Sequence, residues 1–425
     1  MGDILRDIVA RNCAGAAVAI PSVCSAHPDV ISASLALAAA LDRPIVIEAT
    51  SNQVNQDGGY TGMRPTDFVA MVHELADTNG VDRRNIVFGG DHLGPQAWRA
   101  LMPGEAMQKA HVMVAKYVDA GFTKIHLDCS EGCAGEAANL PDAVTAERSA
   151  QLAATCLQAA RNPAQLVFVI GTEVPPPGGA RSDEGGSIPA TPGPRATATM
   201  QSHKHAFDAA GIGHAFGQVA GLVVQPGVEF SPLDVHAYPM TRKLPFRAAL
   251  ADWPGVCAEA HSTDYQSGAV FERLAAEGFA FQKVGPALTF AWRQAVYALD
   301  MIRSYQGHGA LGLFSTMQTV MLANPDHWQS HYDSNDMHLT EALHFGYADR
   351  IRYYWPHPKA QAALDELFAH IDANPPAEPL LHQVFDPAIV AQARAAELPL
   401  ARALIFAEIQ RALRPYFLDP IEAQP

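Results

Sequence analysis

The chain of 425 residues lacks most features of exported, membrane-bound or nucleic-acid-binding proteins. Its six cysteines are scattered and form no C-x-x-C pair, which favours reduced thiols and a cytoplasmic location. Lysine and arginine number 29 against 44 acidic residues, the formal net charge is −15, and no basic block occurs. We therefore expect neither a nucleic-acid partner nor a membrane partner, although a small anion can still bind in a local basic pocket.

Long hydrophobic runs are also missing. The longest apolar stretch, residues 30–41, is too short to span a bilayer and is rich in alanine, as buried helices are. The first residues, MGDILRDIVARN, lack a basic segment followed by an apolar one, so no signal peptide is expected. The hydrophobic fraction of 48% is nevertheless ample for a large buried core.

What the sequence does contain is alternation of strand-like and helix-like segments. Eight runs rich in Val, Ile and Phe occur at residues 17–20, 44–47, 86–88, 124–127, 166–170, 221–224, 256–260 and 281–284. Segments with helical periodicity follow them, because parallel strands need helical crossovers. Eight such units match the size of a (β/α)₈ TIM barrel, which is an α/β fold. We predict the barrel over residues 1–300 and a C-terminal helical extension over residues 301–425, packed on the barrel.

Polar residues cluster directly after most of the strand-like runs. The stretch FGGDHLGP, for example, sets Asp91 beside His92 after the run that ends at Phe88. In a TIM barrel the C-terminal ends of all eight strands meet on one face, where active sites are built. We therefore expect one site made from these clusters. Its candidate residues are Glu48, Asn52, Gln53, Asp91, His92, Asp128, Glu173, Gln225, His261, Ser262 and Thr263.

Several long strings resemble the tagatose-bisphosphate aldolase Z-subunit family (GatZ/KbaZ). They include EATSNQVNQDGGYTG at 48–62, GGDHLGP at 89–95, GTEVPPPGG at 171–179, EAHSTDYQ at 259–266 and DRIRYYW at 349–355. The resemblance implies one of two functions. In the first, members are 4-epimerases that interconvert tagatose 6-phosphate and fructose 6-phosphate in the catabolism of ketohexoses or of hexitols such as galactitol. In the second, members are non-catalytic accessory subunits of a class II D-tagatose-1,6-bisphosphate aldolase.

Some relatives carry the label of tagatose 6-phosphate kinase, which the sequence argues against. ATP phosphates are commonly held by a G-x-x-x-x-G-K-[ST] loop, and the chain has no such motif. Epimerisation at C4 by transient oxidation would want a dinucleotide-binding loop, but the G-x-G-x-x-G string at 307–312 follows a helical pattern instead of a strand. Breaking and remaking the C3–C4 bond by retro-aldol is the better fit.

Retro-aldol chemistry needs a base for the C4 hydroxyl and an electron sink. Because the family is related in pattern to metal-dependent class II aldolases, the resemblance implies that Asp91 is the base and His92 a ligand of a divalent metal, zinc, manganese or magnesium. Glu173 and His261 are the further candidate ligands, with Glu173 also a candidate second base. A Schiff base on Lys124 or Lys283 remains open as an alternative sink.

The other candidates suit binding of a sugar phosphate. Glu48, Asn52 and Gln53 suit sugar hydroxyls, and Ser262 and Thr263 suit phosphate near strands seven and eight. We also expect substrate contacts from Asp128, Gln225, Arg350, Arg352 and Tyr353, the last three reaching over the barrel mouth to the sugar phosphate. Each of these residues can instead stabilise its own loop by hydrogen bonds or ion pairs. A homo-oligomer or a class II aldolase partner is compatible with the sequence.

Overall fold

The computed structural model describes residues 2–171, 188–308 and 312–418. Eight parallel strands form a closed barrel in the order β1-β10-β9-β6-β5-β4-β3-β2, which confirms the predicted (β/α)₈ class. The short strands β7 and β8 form a separate antiparallel hairpin. The strands are β1 Ile20–Cys24, β2 Ile45–Thr50, β3 Ile86–Leu93, β4 Lys124–Leu127, β5 Val167–Ile170, β6 Val219–Val223, β7 Glu229–Phe230, β8 Val235–His236, β9 Cys257–Ala260 and β10 Phe279–Val284.

Helices surround the barrel and make up the C-terminal region. The α-helices are α1 Gly2–Cys13, α2 Pro28–Ala40, α3 Pro65–Thr78, α4 Pro103–Ala120, α5 Asp142–Ala159, α6 Gly193–Ala209, α7 Phe246–Ala249, α8 Gly268–Ala276, α9 Pro286–Tyr305, α10 Gly312–Ala323, α11 Leu339–Phe345, α12 Pro358–Ala373, α13 Glu378–Leu381, α14 Pro387–Ala395 and α15 Leu400–Leu413. Proline is the first residue of six of them, where its missing N–H would have no intrahelical acceptor.

Helix α1 closes the bottom of the barrel, a feature that the sequence analysis did not predict. Leu5, Ile8 and Val9 recur at helical spacing and are buried. They pack in one apolar cluster with residues near the N-terminal ends of the strands, including Val46 and Val167. The opposite, C-terminal ends of the strands are therefore the open face of the barrel.

The helical extension packs against the outer helices and reaches the open face. Helix α15 contacts α9 and α2, and the backbone N–H of Ala19 donates to Leu418 O, which fixes the end of the described chain to the start of β1. Helix α9 crosses residue 300, the predicted domain boundary. The division into two domains stays a prediction. No helix in the described part of the chain has both the length and the apolar content to span a membrane.

Candidate active site

The Asp91–His92 pair lies within the last part of β3, not after it. The sequence placed the strand end at Phe88, but β3 continues to Leu93, and its register against β4 shifts between Gly90 and Leu93. His92 has a φ of +46°, a left-handed conformation that non-glycine residues seldom adopt. The irregular strand end turns both side chains toward the interior of the barrel mouth.

The two glycines before this pair are required by close packing. A Cβ atom on Gly89 would lie 2.7 Å from Cγ of Glu48, and one on Gly90 would lie 2.5 Å from Cδ1 of Leu93. No side chain fits at either position unless a neighbour moves. The glycines therefore let Glu48 and β3 approach each other beneath the site.

Three side chains at the open face come together as candidate metal ligands. Asp91, His92 and His261 each offer a ligand atom, and these atoms lie within 4.8 Å of one another. Nδ1 of His92 lies 2.7 Å from Oδ2 of Asp128. Since an ionised carboxylate only accepts hydrogen bonds, His92 donates from Nδ1 and keeps a lone pair on Nε2. Such carboxylate–histidine pairs commonly orient metal ligands.

His261 is held in the same way by a carboxylate on its own strand. Nε2 of His261 lies 2.9 Å from Oε1 of Glu259, so donation from Nε2 leaves the lone pair on Nδ1. Burial lowers the pKa of His261, Lys283 lowers it further, and Glu259 offsets part of the shift. A neutral imidazole is the form that binds a metal.

A third histidine, His126, completes a triad of imidazoles. The ring centroids of His92, His126 and His261 are 5.0 to 5.2 Å apart. Nδ1 of His126 lies 3.1 Å from the backbone nitrogen of His92 and 2.9 Å from Oδ1 of Asp91. Its Nε2 is buried and has no hydrogen-bond partner among the described residues. An unsatisfied buried nitrogen is costly, which suggests that His126 also contacts a bound group.

A buried ion network lies beneath this cluster. Nζ of Lys124 is 2.7 Å from Oε1 of Glu48 and 2.7 Å from Oε2 of Glu259, and all three side chains are at most 1% exposed. Burial alone would lower the pKa of Lys124, but the two carboxylates outweigh burial and raise it above its ordinary value. Glu48, expected to bind sugar hydroxyls, is instead a partner of Lys124.

Lys283 on β10 forms an ion pair with Oδ2 of Asp91. Although burial lowers the pKa of Lys283, Asp91 and other anionic neighbours raise it well above its ordinary value. Burial raises the pKa of Asp91, but His92, Lys283 and His126 hold it well below its usual range. Asp91 is therefore an ionised carboxylate at the floor of the site.

A cavity of about 530 Å³ opens above these groups, within the range typical for small-molecule sites. Eight of the residues that the sequence analysis proposed line it: Asn52, Gln53, Asp91, His92, His261, Ser262, Arg352 and Tyr353. Residues of β1, β2 and β10 and of the helical extension complete the wall, so distant parts of the chain do meet around one pocket.

The other predicted residues that the structure describes, Glu48, Asp128, Gln225, Thr263 and Arg350, do not line the cavity. Asp128 fixes His92, as described above, and Glu173 lies outside the described residues. Oε1 of Gln225 accepts from the backbone of Gly227, which stabilises its own turn. Oγ1 of Thr263 donates to Lys283 O at 2.6 Å. The polar groups of Asp128, Gln225 and Thr263 thus form hydrogen bonds within the protein, which makes them unavailable to a substrate.

Both Arg350 and Arg352 were expected at the mouth, but only Arg352 of the two lines the cavity. Nε of Arg350 donates to His327 O at 2.6 Å, and its guanidinium carbon lies over the Tyr353 ring, 4.5 Å from the ring centroid. Alternate residues of this tight turn face different directions, so the sequence could not decide which arginine entered the site.

The site residues that the sequence analysis missed, His126 and Glu259, lie inside strands, and Lys124, which it considered only as a Schiff-base lysine, lies in the same strand as His126. Lys124 and His126 are two residues apart in β4, and Glu259 precedes His261 by two residues across the end of β9. Side chains two apart in a strand point to the same face. Charged residues at alternate positions of an apolar run are thus a usable signal of inward-facing polar groups in a barrel.

The cluster fits a divalent metal ion. In each of two histidines a carboxylate fixes one ring nitrogen, and the other forms no hydrogen bond with the described residues. The carboxylate of Asp91 lies beside them, and a buried nitrogen of His126 has no hydrogen-bond partner within the same part of the chain. Imidazole and carboxylate ligands suit zinc or manganese.

Comparisons with known proteins agree with one another over almost the whole chain. The family model for the D-tagatose-1,6-bisphosphate aldolase subunit GatZ/KbaZ-like proteins matches residues 5–419. A protein of Agrobacterium fabrum (strain C58 / ATCC 33970) named D-tagatose 6-phosphate 4-epimerase is 44% identical over 405 residues, which cover 94% of this chain and 93% of that protein.

A solved structure from Sinorhizobium meliloti 1021, described as a probable tagatose 6 phosphate kinase, is also 44% identical. The match has a TM-score of 0.84 and covers 94% of this chain and 99% of the other. The two relatives thus carry different activities in their names, although each is equally similar in sequence to this chain.

Proposed function

Because the chain belongs to the D-tagatose-1,6-bisphosphate aldolase subunit GatZ/KbaZ-like family, we propose that it is an epimerase that interconverts D-tagatose 6-phosphate and D-fructose 6-phosphate at C4. The name of the Agrobacterium relative supports this substrate and reaction. The observation that carries the proposal is Asp91, an ionised carboxylate at the floor of the cavity beside two histidines whose tautomers are fixed by carboxylates.

Asp91 is the base in the proposed reaction. It accepts the proton of the C4 hydroxyl, the C3–C4 bond breaks, and its electron pair passes to the C1–C3 fragment as an enediolate, leaving C4 as an aldehyde. Rotation of the aldehyde presents its opposite face to C3. The bond forms again with inverted configuration at C4, and Asp91 returns the proton to the new C4 oxygen. Atoms and electrons balance without an oxidant.

His92 and His261 would hold a divalent metal, with Glu173 as the predicted third ligand outside the described residues. When bound, the metal supplies the Lewis acid that stabilises negative charge on the ketose oxygens. Asp128 and Glu259 would orient the two histidine rings, each by a hydrogen bond to the ring nitrogen that does not bind the metal. Nζ of Lys283 adds a fixed positive charge beside Asp91.

A lysine Schiff base is less well supported as the electron sink. Such a lysine must lose its proton to attack a carbonyl, and active sites achieve this by lowering its pKa. The pKa values of Lys124 and Lys283 are both raised by neighbouring carboxylates, in spite of burial. Both amines are therefore held protonated in ion pairs.

The test is turnover of D-tagatose 6-phosphate by the purified chain alone, without nucleotide, with D-fructose 6-phosphate measured as product. Asp91→Asn should lower kcat by about 10²–10⁴-fold, as expected for loss of a general base. Asp82→Asn, at an exposed aspartate before β3, is the matched control and should keep wild-type rates. Wild-type rates in Asp91→Asn, with folding checked by circular dichroism, would remove Asp91 from the mechanism.

Metal dependence is tested separately. Dialysis against a chelator should abolish turnover, and added Zn²⁺ or Mn²⁺ should restore it. Elemental analysis should find a divalent metal in the wild type and much less in His92→Ala, because truncating one ligand weakens the site. Full activity in metal-free protein would contradict the proposed metal.

The family description favours a second function, that of an aldolase subunit. In that case the chain would bind a class II aldolase and turn over nothing by itself. An inactive purified chain that raises the activity of an added class II D-tagatose-1,6-bisphosphate aldolase would favour this second function over epimerisation. ATP-dependent consumption of tagatose 6-phosphate would instead support the kinase name of the Sinorhizobium relative.

A further inference from the structure

TIM barrels often bind phosphate with the loops after strands seven and eight and the N-terminus of a nearby helix. In this barrel those strands are β9 and β10, and the helix is α9. Oδ1 of Asp264 accepts hydrogen bonds from the backbone N–H groups of Gly285 at 3.0 Å and Ala287 at 2.8 Å. Asp264 is itself buried. The protein's own carboxylate therefore already occupies the amides that would bind a phosphate.

Of the two hydroxyls that the sequence assigned to phosphate, Ser262 lines the cavity, but that of Thr263 is bonded within the protein. Oγ1 of Thr263 donates to Lys283 O and lies 3.3 Å from the hydroxyl of Tyr416. A phosphate that displaced Asp264 would leave a buried carboxylate without its two donors, at considerable cost. A sugar phosphate in the cavity must therefore find its cation elsewhere.

Arg352 is the guanidinium that lines the cavity within the described part of the chain. No carboxylate of the described residues forms an ion pair with it, whereas the cavity's lysine, Lys283, is paired with Asp91. Nη1 of Arg352 donates to Ala348 O at 2.6 Å and to Asp349 O at 3.1 Å. Nη2 donates to the hydroxyl of Tyr353 at 2.9 Å.

Where the structure describes the chain, these three bonds leave two of the five guanidinium N–H groups, on Nε and Nη2, without an acceptor and so open to a ligand. Arginine binds phosphate oxygens through two such parallel donors. The guanidinium also stacks at 4.5 Å from the centroid of the Tyr353 ring, which limits its motion.

The turn that carries Arg352 is fixed rigidly to the barrel. Asp349, which precedes the turn, accepts from Nε of Arg293 at 2.9 Å and from Oγ1 of Thr289 at 2.5 Å, both on α9. On the opposite side, the ring of Tyr60 from the loop after β2 meets Tyr353 edge to face, with centroids 4.8 Å apart. The guanidinium is thus positioned before any ligand arrives.

We infer that Arg352, supported by Tyr353, forms the subsite for the phosphate monoester of the substrate. The helical extension would then supply the cation for the phosphate, and the barrel floor would hold the reacting carbons near Asp91. The inference rests on the proposed function for the identity of the substrate and deepens it by naming how the 6-phosphate is recognised.

Binding is tested by calorimetry in phosphate-free buffer, with D-fructose 6-phosphate, D-fructose and inorganic phosphate as ligands. The wild type should bind D-fructose 6-phosphate roughly 10- to 100-fold more tightly than D-fructose, and Arg352→Gln should lose that difference. Arg352→Lys, which keeps the charge but not the two parallel donors, should be intermediate. Arg84→Gln, an exposed arginine before β3, is the control and should match the wild type.

Two results would overturn the subsite. One is equal affinity of the wild type for D-fructose 6-phosphate and D-fructose, which needs no variant. The other is wild-type affinity of folded Arg352→Gln or Arg352→Lys for D-fructose 6-phosphate and inorganic phosphate.

The outcomes separate this inference from the proposed function. Phosphate binding that depends on Arg352 without any epimerisation would keep the subsite and reject the epimerase. Epimerisation with an unchanged KM in Arg352→Gln would keep the epimerase and reject the subsite. If both hold, Arg352→Gln should raise KM for tagatose 6-phosphate by the same roughly 10- to 100-fold.

Discussion

Replacing Lys124 with methionine should destabilise the fold by leaving two buried carboxylates without their shared cation. Nζ of Lys124 lies 2.7 Å from a carboxylate oxygen of both Glu48 and Glu259, and the three side chains are at most 1% exposed. Removing one partner of a buried ion pair typically costs about 3–5 kcal/mol. The free energy of unfolding of a protein is typically about 5–15 kcal/mol. The Lys124→Met variant should therefore fold, but with a much smaller free energy of unfolding than the wild type.

The measurement is urea unfolding at pH 7, followed by circular dichroism and tryptophan fluorescence, which must give coincident transitions for a free energy to be defined. The control is the triple variant Lys124→Met/Glu48→Gln/Glu259→Gln, which removes all three charges together. Its stability should return to within about 2 kcal/mol of the wild type, because neutral replacements of a whole buried ion network are often tolerated. A loss below about 1 kcal/mol in the single variant would refute the reasoning, since the carboxylates would then not depend on Lys124.

Three further predictions concern stability. Burial lowers the pKa of His203 to about 4, below its ordinary value near 6.5. As the pH falls, the unfolded state therefore binds a proton before the folded state does, and the free energy of unfolding should fall by about 2–3 kcal/mol between pH 7.5 and pH 4.5. Urea unfolding of the wild type and His203→Leu at both pH values checks this, and an equal acid loss in the two would contradict it. Asp264→Ala should cost about 2–4 kcal/mol in the same assay, because two buried N–H groups lose their acceptor, whereas Asp264→Asn keeps an oxygen and should cost much less. Gly89→Ala should cost about 1–3 kcal/mol by overpacking against Glu48, while Gly104→Ala, where a Cβ meets nothing within 4 Å, serves as the control.

The strands were largely predictable because parallel barrel strands are buried on both faces and read as continuous apolar runs. The run 124–127 coincides with β4, and most others overlap their strands within two residues at one end. The first run, 17–20, meets β1 only at Ile20, since the strand continues through Pro21 and Ser22, which carry no hydrophobic signal. β3 was underestimated because glycines, Asp91 and His92 interrupt its apolar pattern.

The location of the candidate site was predictable because it lies at the C-terminal ends of the strands. Asp91, His92 and His261 meet there because the strand ends of a barrel converge, and their roles stay predictions. His126 and Glu259 were missed because strand interiors were read as core. Thr263, Gln225 and Arg350 were assigned to substrate, but each is used by a backbone carbonyl or amide nearby, a choice that depends on three-dimensional neighbours.

The sequence by itself determined the barrel, the family and the face on which the site lies, because hydrophobic periodicity and residue type are local properties. Only the tertiary structure decided which polar group meets which. Lys124 is drawn between Glu48 and Glu259, Asp264 fills the start of α9, and Arg352 faces the cavity without a carboxylate partner among the described residues. The pairings of Lys124 and Asp264 join residues far apart in the chain, and burial favours them, since a charge or donor removed from water is costly to leave without a partner.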